Sequence, residues 1–216
     1  METEVKLSFK DKESLNKVTL TESFRKHCVC SDPVSMLLEN YYLDTSDMFI
    51  LKRGGSLRKR MVTGKENYCE YTVKYRGGAD NGIHQRYEWN ARLEGGFTIE
   101  GFKSALDSDG DPVEFLSVVF ENITEDELLV LCFNSFNRTT YELKFNNSRI
   151  EACFDSGTIY NSDKTESDEI CELELELIEG RIEDLIELTD LIRSENECEP
   201  LDRSKFMRTL ALAGKG

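Results

Sequence analysis

ETEVKL, residues 2–7, follows Met1 and alternates acid, Thr, acid, Val, base, Leu. On a β-strand, alternate residues share a face. Glu2, Glu4 and Lys6 then lie on one side, and Thr3, Val5 and Leu7 on the other. CELELELIEG, residues 171–180, repeats the arrangement more sharply: Glu172, Glu174 and Glu176 alternate with Leu173, Leu175 and Leu177. A strand with one charged and one apolar face suits a sheet with a wet side. It equally suits a closed barrel whose charged side is the lumen.

The strands between these two decide how that choice leans. SMLLENYYLDT (35–45), SLRKRMV (56–62), NYCEYTVKYRG (67–77), IHQRYEWNARL (83–93) and segments near 132–145, 148–160 and 168–178 read as further strands. Gly54-Gly55 reads as a turn and Gly77 to Gly82 as a loop. Alternation groups Arg58 with Arg60, Thr72 with Lys74 and Arg76, and His84 with Arg86 and Glu88; it aligns Glu151, Cys153 and Asp155, while Arg138 sits in the sixth strand region. Trp89 faces away from that charged side, and His84 shares its parity at a strand start, open to a place at the mouth or on the surface. Signs segregate by strand, with acids on the first and last and bases in the middle. A solvated face should mix signs to avoid repulsion. A divalent cation held at one wall and a polyphosphate along the other would relieve both repulsions.

Helical segments are expected at 11–30, 98–106 and 112–122, from a capping-box pattern at Thr124–Glu127, and over most of 180–213. About eight mostly antiparallel strands with inserted helices make an α+β chain, built on a barrel or a strongly curved sheet. A sandwich with wet faces is the bland rival. DSDGD (107–111) has its glycine misplaced for a calcium loop and reads as a turn.

Composition narrows the classes. The 216 residues, 39% hydrophobic with three prolines, read as a single domain over 1–216. A net charge of -15 argues against a generic nucleic-acid binder, though not against a basic cavity inside an acidic shell. No segment is long and apolar enough to span a bilayer, and no secretory signal precedes the first strand. The seven cysteines are scattered; Cys28 and Cys30 near His27 do not make the paired clusters of a zinc site. Reduced thiols in a cytoplasmic protein fit, and the sequons at Asn122, Asn137 and Asn146 then carry no glycan.

The opening E-T-E-V-K resembles the ExExK signature of the CYTH superfamily, the triphosphate tunnel metalloenzymes. YYLDT (41–45), SLRKR (56–60), YTVK (71–74), HQRYEWN (84–90), FDSGTIY (154–160), CELELELIEG (171–180) and SKFMRTLAL (204–212) resemble that family's successive blocks in order, over nearly the whole chain. HQRYEWN and the SKxxR tail look most like the bacterial inorganic triphosphatase branch. Members there often carry a second, helical, His-rich domain, which has no counterpart in residues 1–216. Asn90 stands where many relatives have another acid.

The resemblance implies an eight-stranded antiparallel closed β-barrel with surrounding helices, hydrolysing inorganic triphosphate to pyrophosphate and phosphate with Mg²⁺ or Mn²⁺. It implies that Glu2, Glu4, Glu172 and Glu174 are metal-side carboxylates, with Glu88 and Glu176 as further members. Lys6, Arg58, Arg60, Lys74, Arg86 and Arg138 become the catalytic cations along the substrate path. Lys205, with Arg208, closes one mouth and reaches the substrate. Asp155 points inward, with metal, water-positioning and structural roles all open. Class IV adenylate cyclases and thiamine triphosphatases share the scaffold and stand as alternatives, as does a non-enzymatic polyphosphate-binding protein. Neither nucleic acid nor membrane is expected as a partner. The apolar outer faces of such a barrel need a cover, either the helices or a second copy in a homodimer.

Overall fold

The structure, a computed structural model, describes residues 1–29, 31–93, 95–108, 114–161 and 165–214. Its strands are β1 (Glu2–Ser8), β2 (Val34–Asp44), β3 (Gly55–Thr63), β4 (Tyr68–Asp80), β5 (Ile83–Ala91), β6 (Leu129–Phe145), β7 (Ser148–Tyr160), β8 (Ser167–Glu179) and the two-residue β9 (Glu199–Pro200). Its helices are α1 (Lys12–Lys17), α2 (Glu22–His27), α3 (Phe49–Lys52), α4 (Ile99–Ser108), α5 (Glu114–Val119), α6 (Ile182–Glu195) and α7 (Lys205–Leu212).

β1 closes the sheet on itself. On one edge Glu4 faces Glu176 and Lys6 faces Glu174 of β8; on the other Glu2 faces Arg86 and Glu4 faces His84 of β5. The order β5-β4-β3-β2-β6-β7-β8-β1 therefore returns to β5, and every pairing is antiparallel. β9 takes the remaining edge of β1, at Leu7 and Ser8. The eight-stranded closed barrel expected from the sequence is the fold found.

The barrel is apolar outside and charged inside. Val5 and Leu7 of β1 pack with Leu173 and Leu175 of β8 beneath Leu185, Leu188 and Ile192 of α6, joined by Leu15 and Phe24 of α1 and α2. A second core lies outside β3, β4 and β5, where Leu57, Val73 and Trp89 meet Phe102, Leu106 and Leu116. Trp89 is thus on the outer face, as its parity requires. Each large apolar side chain removed from water contributes roughly 1.5–3 kcal/mol, so the two flanking cores carry much of the fold.

α7 does not join that outer layer; it lies across one end of the lumen. Leu212 packs with Leu38, Val62, Phe136, Ile159 and Ile170, and Leu210 with Tyr42 and Cys132, side chains that share parity with the charged lumen residues. Ser204 caps the helix by accepting the Met207 N–H.

Several local expectations need correction. Residues 11–30 are two short helices, since Val18–Leu20 tightens into a 3-10 turn and Thr21 is extended. Cys30 lies outside the described residues. α3 was not foreseen; the Asp44 carboxylate builds it by accepting the N–H groups of Ile50 and Leu51. Gly77–Gly82 is mostly strand: β4 runs to Asp80 and only Asn81-Gly82 turns, both with positive φ. The capping box at Thr124–Glu127 is present, yet it opens only one 3-10 turn before Leu129 enters β6. The tail breaks between α6 and α7, where β9 forms. Of DSDGD, residues 109–111 fall outside the described part. No helix among the described residues is long and apolar enough to cross a membrane.

Candidate active site

The lumen is a cavity of about 550 Å³. Its walls carry the charged faces read from the sequence: Glu2, Glu4 and Lys6 from β1, Arg58 and Arg60 from β3, Lys74 from β4, Arg86 and Glu88 from β5, Arg138 from β6, Glu174 and Glu176 from β8, and Lys205 from α7. Glu4 is 3% exposed, Lys6 5% and Asp155 0%. Withdrawing such charges from water costs several kcal/mol each unless they are paired.

Most are paired. Lys6 donates to Glu174 and sits 3.1 Å from Glu4. Arg86 donates to Glu2 at 2.9 Å and to Glu4. Lys74 bridges Glu2 and Glu88. Arg138 grips Asp155 with two bonds, at 2.7 and 2.6 Å, and also reaches Glu174. Lys205 spans Asp155, Glu172 and Glu174. Burial alone would raise the Glu174 carboxyl, but Lys205, Lys6 and Arg138 hold it well below the usual range. Burial likewise opposes the charge on Lys205, and Asp155, Glu172 and Glu174 overcome it.

Pairing fails at two places. Arg58 Nη2 donates to Thr72 Oγ1 at 2.8 Å, and its Nε is buried without a partner. Arg60 Nε donates to the neutral Asn40 at 2.8 Å. Neither guanidinium meets a carboxylate among the described residues. Burial, with Arg58 and Arg138 nearby, pushes Arg60 down to about 9; an arginine so depressed lacks a counter-anion. The second place is Glu176, in register with Glu4 on one side and Glu151 on the other. No cation contacts it among the described residues. Burial, then Glu2, Glu4, Glu88 and Glu151, push its carboxyl up to about 8. β3 and β8 are four places apart in a ring of eight, so the two unmatched charges stand on opposite walls of the tunnel.

Lys205 separates this cavity from two of the expected residues. Glu172 and Asp155 lie behind it, 1% and 0% exposed, and Arg208, one turn along the same face of α7, also donates to Glu172. His84 is buried rather than at the surface, its Nε2 2.8 Å from Leu201 O on the lead into α7. Asn90, in the place of an acid, donates to Glu88 and accepts from Thr72. Among the lining residues not assigned from the sequence are Glu70, Glu151, Tyr42, Phe136 and Phe206. Glu151 carried a signal, its parity with Asp155; Phe206 carried none, because nothing in a helical stretch says that it enters a barrel. Arg60 is tied to that helix through Asn40, Asn134 and Thr209, bonded in series at 2.8 to 2.9 Å.

The donor set suits a hard divalent cation: the lining acids offer carboxylate oxygens and no thiol lines the cavity among the described residues, while burial pushes the Cys153 thiol of β7 up. Among the described residues, no three metal-ligating side chains already converge on one point. Most of these carboxylates are turned to lysine and arginine instead; of those lining the cavity, Glu70, Glu151 and Glu176 form no ion pair among the described residues.

Residues 1–210 match the family model described as the CYTH domain. The chain belongs to the CYTH family. Among curated CYTH relatives, an inorganic triphosphatase of Haemophilus influenzae is 28% identical over 181 residues, 84% of this chain and 47% of that protein. This CYTH chain thus spans about half the length of the curated relative it matches. Of solved structures, a Hippeastrum protein named as an adenylyl cyclase candidate with dominant triphosphatase activity superposes with a TM-score of 0.60 at 17% identity, covering 96% of this chain and 95% of that one. A Bacillus halodurans adenylate cyclase candidate gives 0.54 at 19% identity, with 96% of each chain covered. At such identities the likeness carries the CYTH fold.

Proposed function

We propose that residues 1–216 form one catalytic unit that hydrolyses inorganic triphosphate to pyrophosphate and phosphate inside the barrel, with Mg²⁺ or Mn²⁺. The observation that carries this is the pair of unmatched walls. Arg58 and Arg60 meet no carboxylate and Glu176 no cation among the described residues, and they line opposite walls of one cavity. A polyphosphate chelating a divalent cation satisfies both. A bare anion-binding protein would have no use for the acidic wall.

Phosphoryl transfer needs positioning and charge neutralisation more than covalent help. Arg58 and Arg60 are placed to grip phosphate oxygens and to stabilise the leaving pyrophosphate. Glu2, Glu4, Glu174 and Glu176, with Glu88 beside them, would hold the metal, while Glu172, expected among them, lies behind Lys205. A divalent cation bound there supplies charge neutralisation and a more acidic water. Were those carboxylates turned toward a metal, Lys6, Lys74, Arg86, Arg138 and Lys205 would be free for the substrate oxygens. Metal and triphosphate should therefore strengthen each other's binding. A cytoplasmic setting is part of the same proposal, since free cysteines such as Cys153 and Cys171 persist where thiols are kept reduced.

The test is phosphate release from inorganic triphosphate, pyrophosphate, ATP and thiamine triphosphate at matched Mg²⁺. Triphosphate should be turned over fastest and pyrophosphate hardly at all, because pyrophosphate fills only part of the path and forfeits orienting contacts. Cyclic AMP formed from ATP as the main reaction would move the protein to the cyclases. Tight triphosphate binding without turnover would make it a polyphosphate-binding protein.

A further inference from the structure

A second cavity, of about 310 Å³, lies at the corner between the β4–β5 hairpin and the lead into α7. It shares Arg76, Gly77, Arg86, Ser204 and Met207 with the lumen cavity, so the two spaces meet there. Its own walls add Arg203 and Asp202.

The hairpin is deformed at this junction. β4 and β5 pair as far as Tyr75 with Tyr87 and resume at Gly78 with Gln85, which leaves Arg76 and Gly77 opposite Arg86 alone. Arg76 has φ +52° and Gly77 φ +115°. A Cβ on Gly77 would stand 2.2 Å from the Gln85 carbonyl oxygen, so only glycine fits. A left-handed arginine is uncommon and unfavourable. By simple alternation Arg76 belongs with Lys74 inside the lumen; the bulge carries it to the rim, where it lines both spaces. Bulges beside active sites often re-aim a side chain in this way.

Both rim cations lack counter-ions. Neither Arg76 nor Arg203 forms an ion pair among the described residues. Arg203 reaches the Met207 carbonyl at 3.4 Å, and Arg76 lies 5.2 Å from the Tyr75 ring centre. The acid of the vestibule, Asp202, is already engaged, its Oδ1 accepting the Gly82 N–H at 2.6 Å. The result is an open space with two guanidinium groups, continuous with a tunnel whose cations are buried.

We propose that this vestibule is a subsite for the phosphate groups of a linear polyphosphate beyond the third, with Arg76 and Arg203 setting how long a chain the protein takes. The inference rests on the reading that the lumen binds triphosphate. A longer chain has to leave the lumen somewhere, and here it would meet planar donors suited to phosphate oxygens rather than bare solvent.

The experiment is kcat/KM for phosphate release from inorganic triphosphate and inorganic tetraphosphate, at one Mg²⁺ concentration, for the unaltered protein, Arg76→Asn and Arg203→Gln. Asparagine tolerates the left-handed backbone at position 76, and Arg203→Gln gives a second test on a separate segment. Each substitution should lower kcat/KM for tetraphosphate by about three- to tenfold, the effect of losing one partly exposed charge-assisted contact, and leave triphosphate within about twofold. Equal losses on both substrates, or none on tetraphosphate, would overturn the vestibule while leaving the lumen reading intact. No turnover of either substrate by the unaltered protein would overturn both.

Discussion

Glu176→Gln in the metal-free protein should make the fold more stable, and the gain should depend on pH in a defined way. In the folded state burial and four neighbouring glutamates lift the Glu176 carboxyl from 4.5 to about 8. A carboxyl raised on folding binds its proton more tightly in the native state, so stability falls as pH rises between those values. Below pH 4.5 the group is protonated in both states and has no effect. At pH 7 the gap of about 2.5 units corresponds to roughly 3 kcal/mol, at 1.36 kcal/mol per unit; above pH 8 the penalty is complete. Glutamine keeps the shape without the charge. For a chain of this size the pH 7 difference amounts to a rise in Tm of roughly 6–12 °C. Thermal unfolding in a chelating buffer at pH 5, 6, 7 and 8 measures it, comparing the two proteins at each pH so that the other carboxylates cancel. The difference should widen from pH 5 to pH 8. Mg²⁺ should then shrink or reverse it, because the wild-type carboxylate gains a partner that glutamine cannot match. A difference that does not change with pH, or a less stable variant throughout, would refute the claim that Glu176 lacks a counter-cation.

Glu174→Gln, two residues away on the same strand, should do the opposite. It removes the anion shared by Lys6, Arg138 and Lys205, and breaking a buried pair on one side costs about 3–5 kcal/mol, so Tm in chelator should drop and activity at low Mg²⁺ should vanish; an unchanged Tm would mean that the three cations repack around other carboxylates. Arg58→Met should leave the unliganded Tm nearly unchanged, since Thr72 keeps its bond to Asn90, but should weaken binding of a non-hydrolysable triphosphate about ten- to a hundredfold, the worth of one charge-assisted contact. Calorimetry checks it, and a loss below about twofold would place the anion elsewhere.

Alternation made the wall of the tunnel legible. ETEVK, SLRKR and ELELEL have period two and opposite faces of opposite character, and Glu2, Glu4, Lys6, Arg58, Arg60, Lys74, Arg86 and Glu88 all line the cavity, whereas Thr72 and His84 do not and Arg76 is moved to the rim by the bulge. What alternation does not contain is the stagger of strands around the barrel. That Glu4 stands beside Glu176 and Lys6 beside Glu174 follows from the shift of β1 against β8, which depends on closure. Hence the sequence shows a tunnel of mixed charge without showing that Arg58, Arg60 and Glu176 are among the unmatched ones. Helix placement was obscure for a related reason. SKFMRTLAL is helical and amphipathic in any setting, yet its apolar side meets Leu38, Phe136 and Ile170 within the barrel mouth. The run from Gly77 to Gly82 misled because its glycines suggest a loop. They serve a bulge and a tight turn at the end of a continuous ladder.

β1 also sets an order of events in time. It is the earliest of the strands to be synthesised, and it pairs with β5, β8 and β9, whose residues run to Pro200. Neither of its edges is complete until the chain has been made as far as Pro200, and contacts so distant in sequence form slowly. Until then a seven-residue strand waits with open hydrogen-bonding groups, a template for pairing with other chains. Glu2, Glu4 and Lys6 occupy every second position of that waiting strand, and charges on an edge discourage such pairing. The residues proposed to serve the chemistry would thus guard the nascent chain before there is a tunnel for them to line.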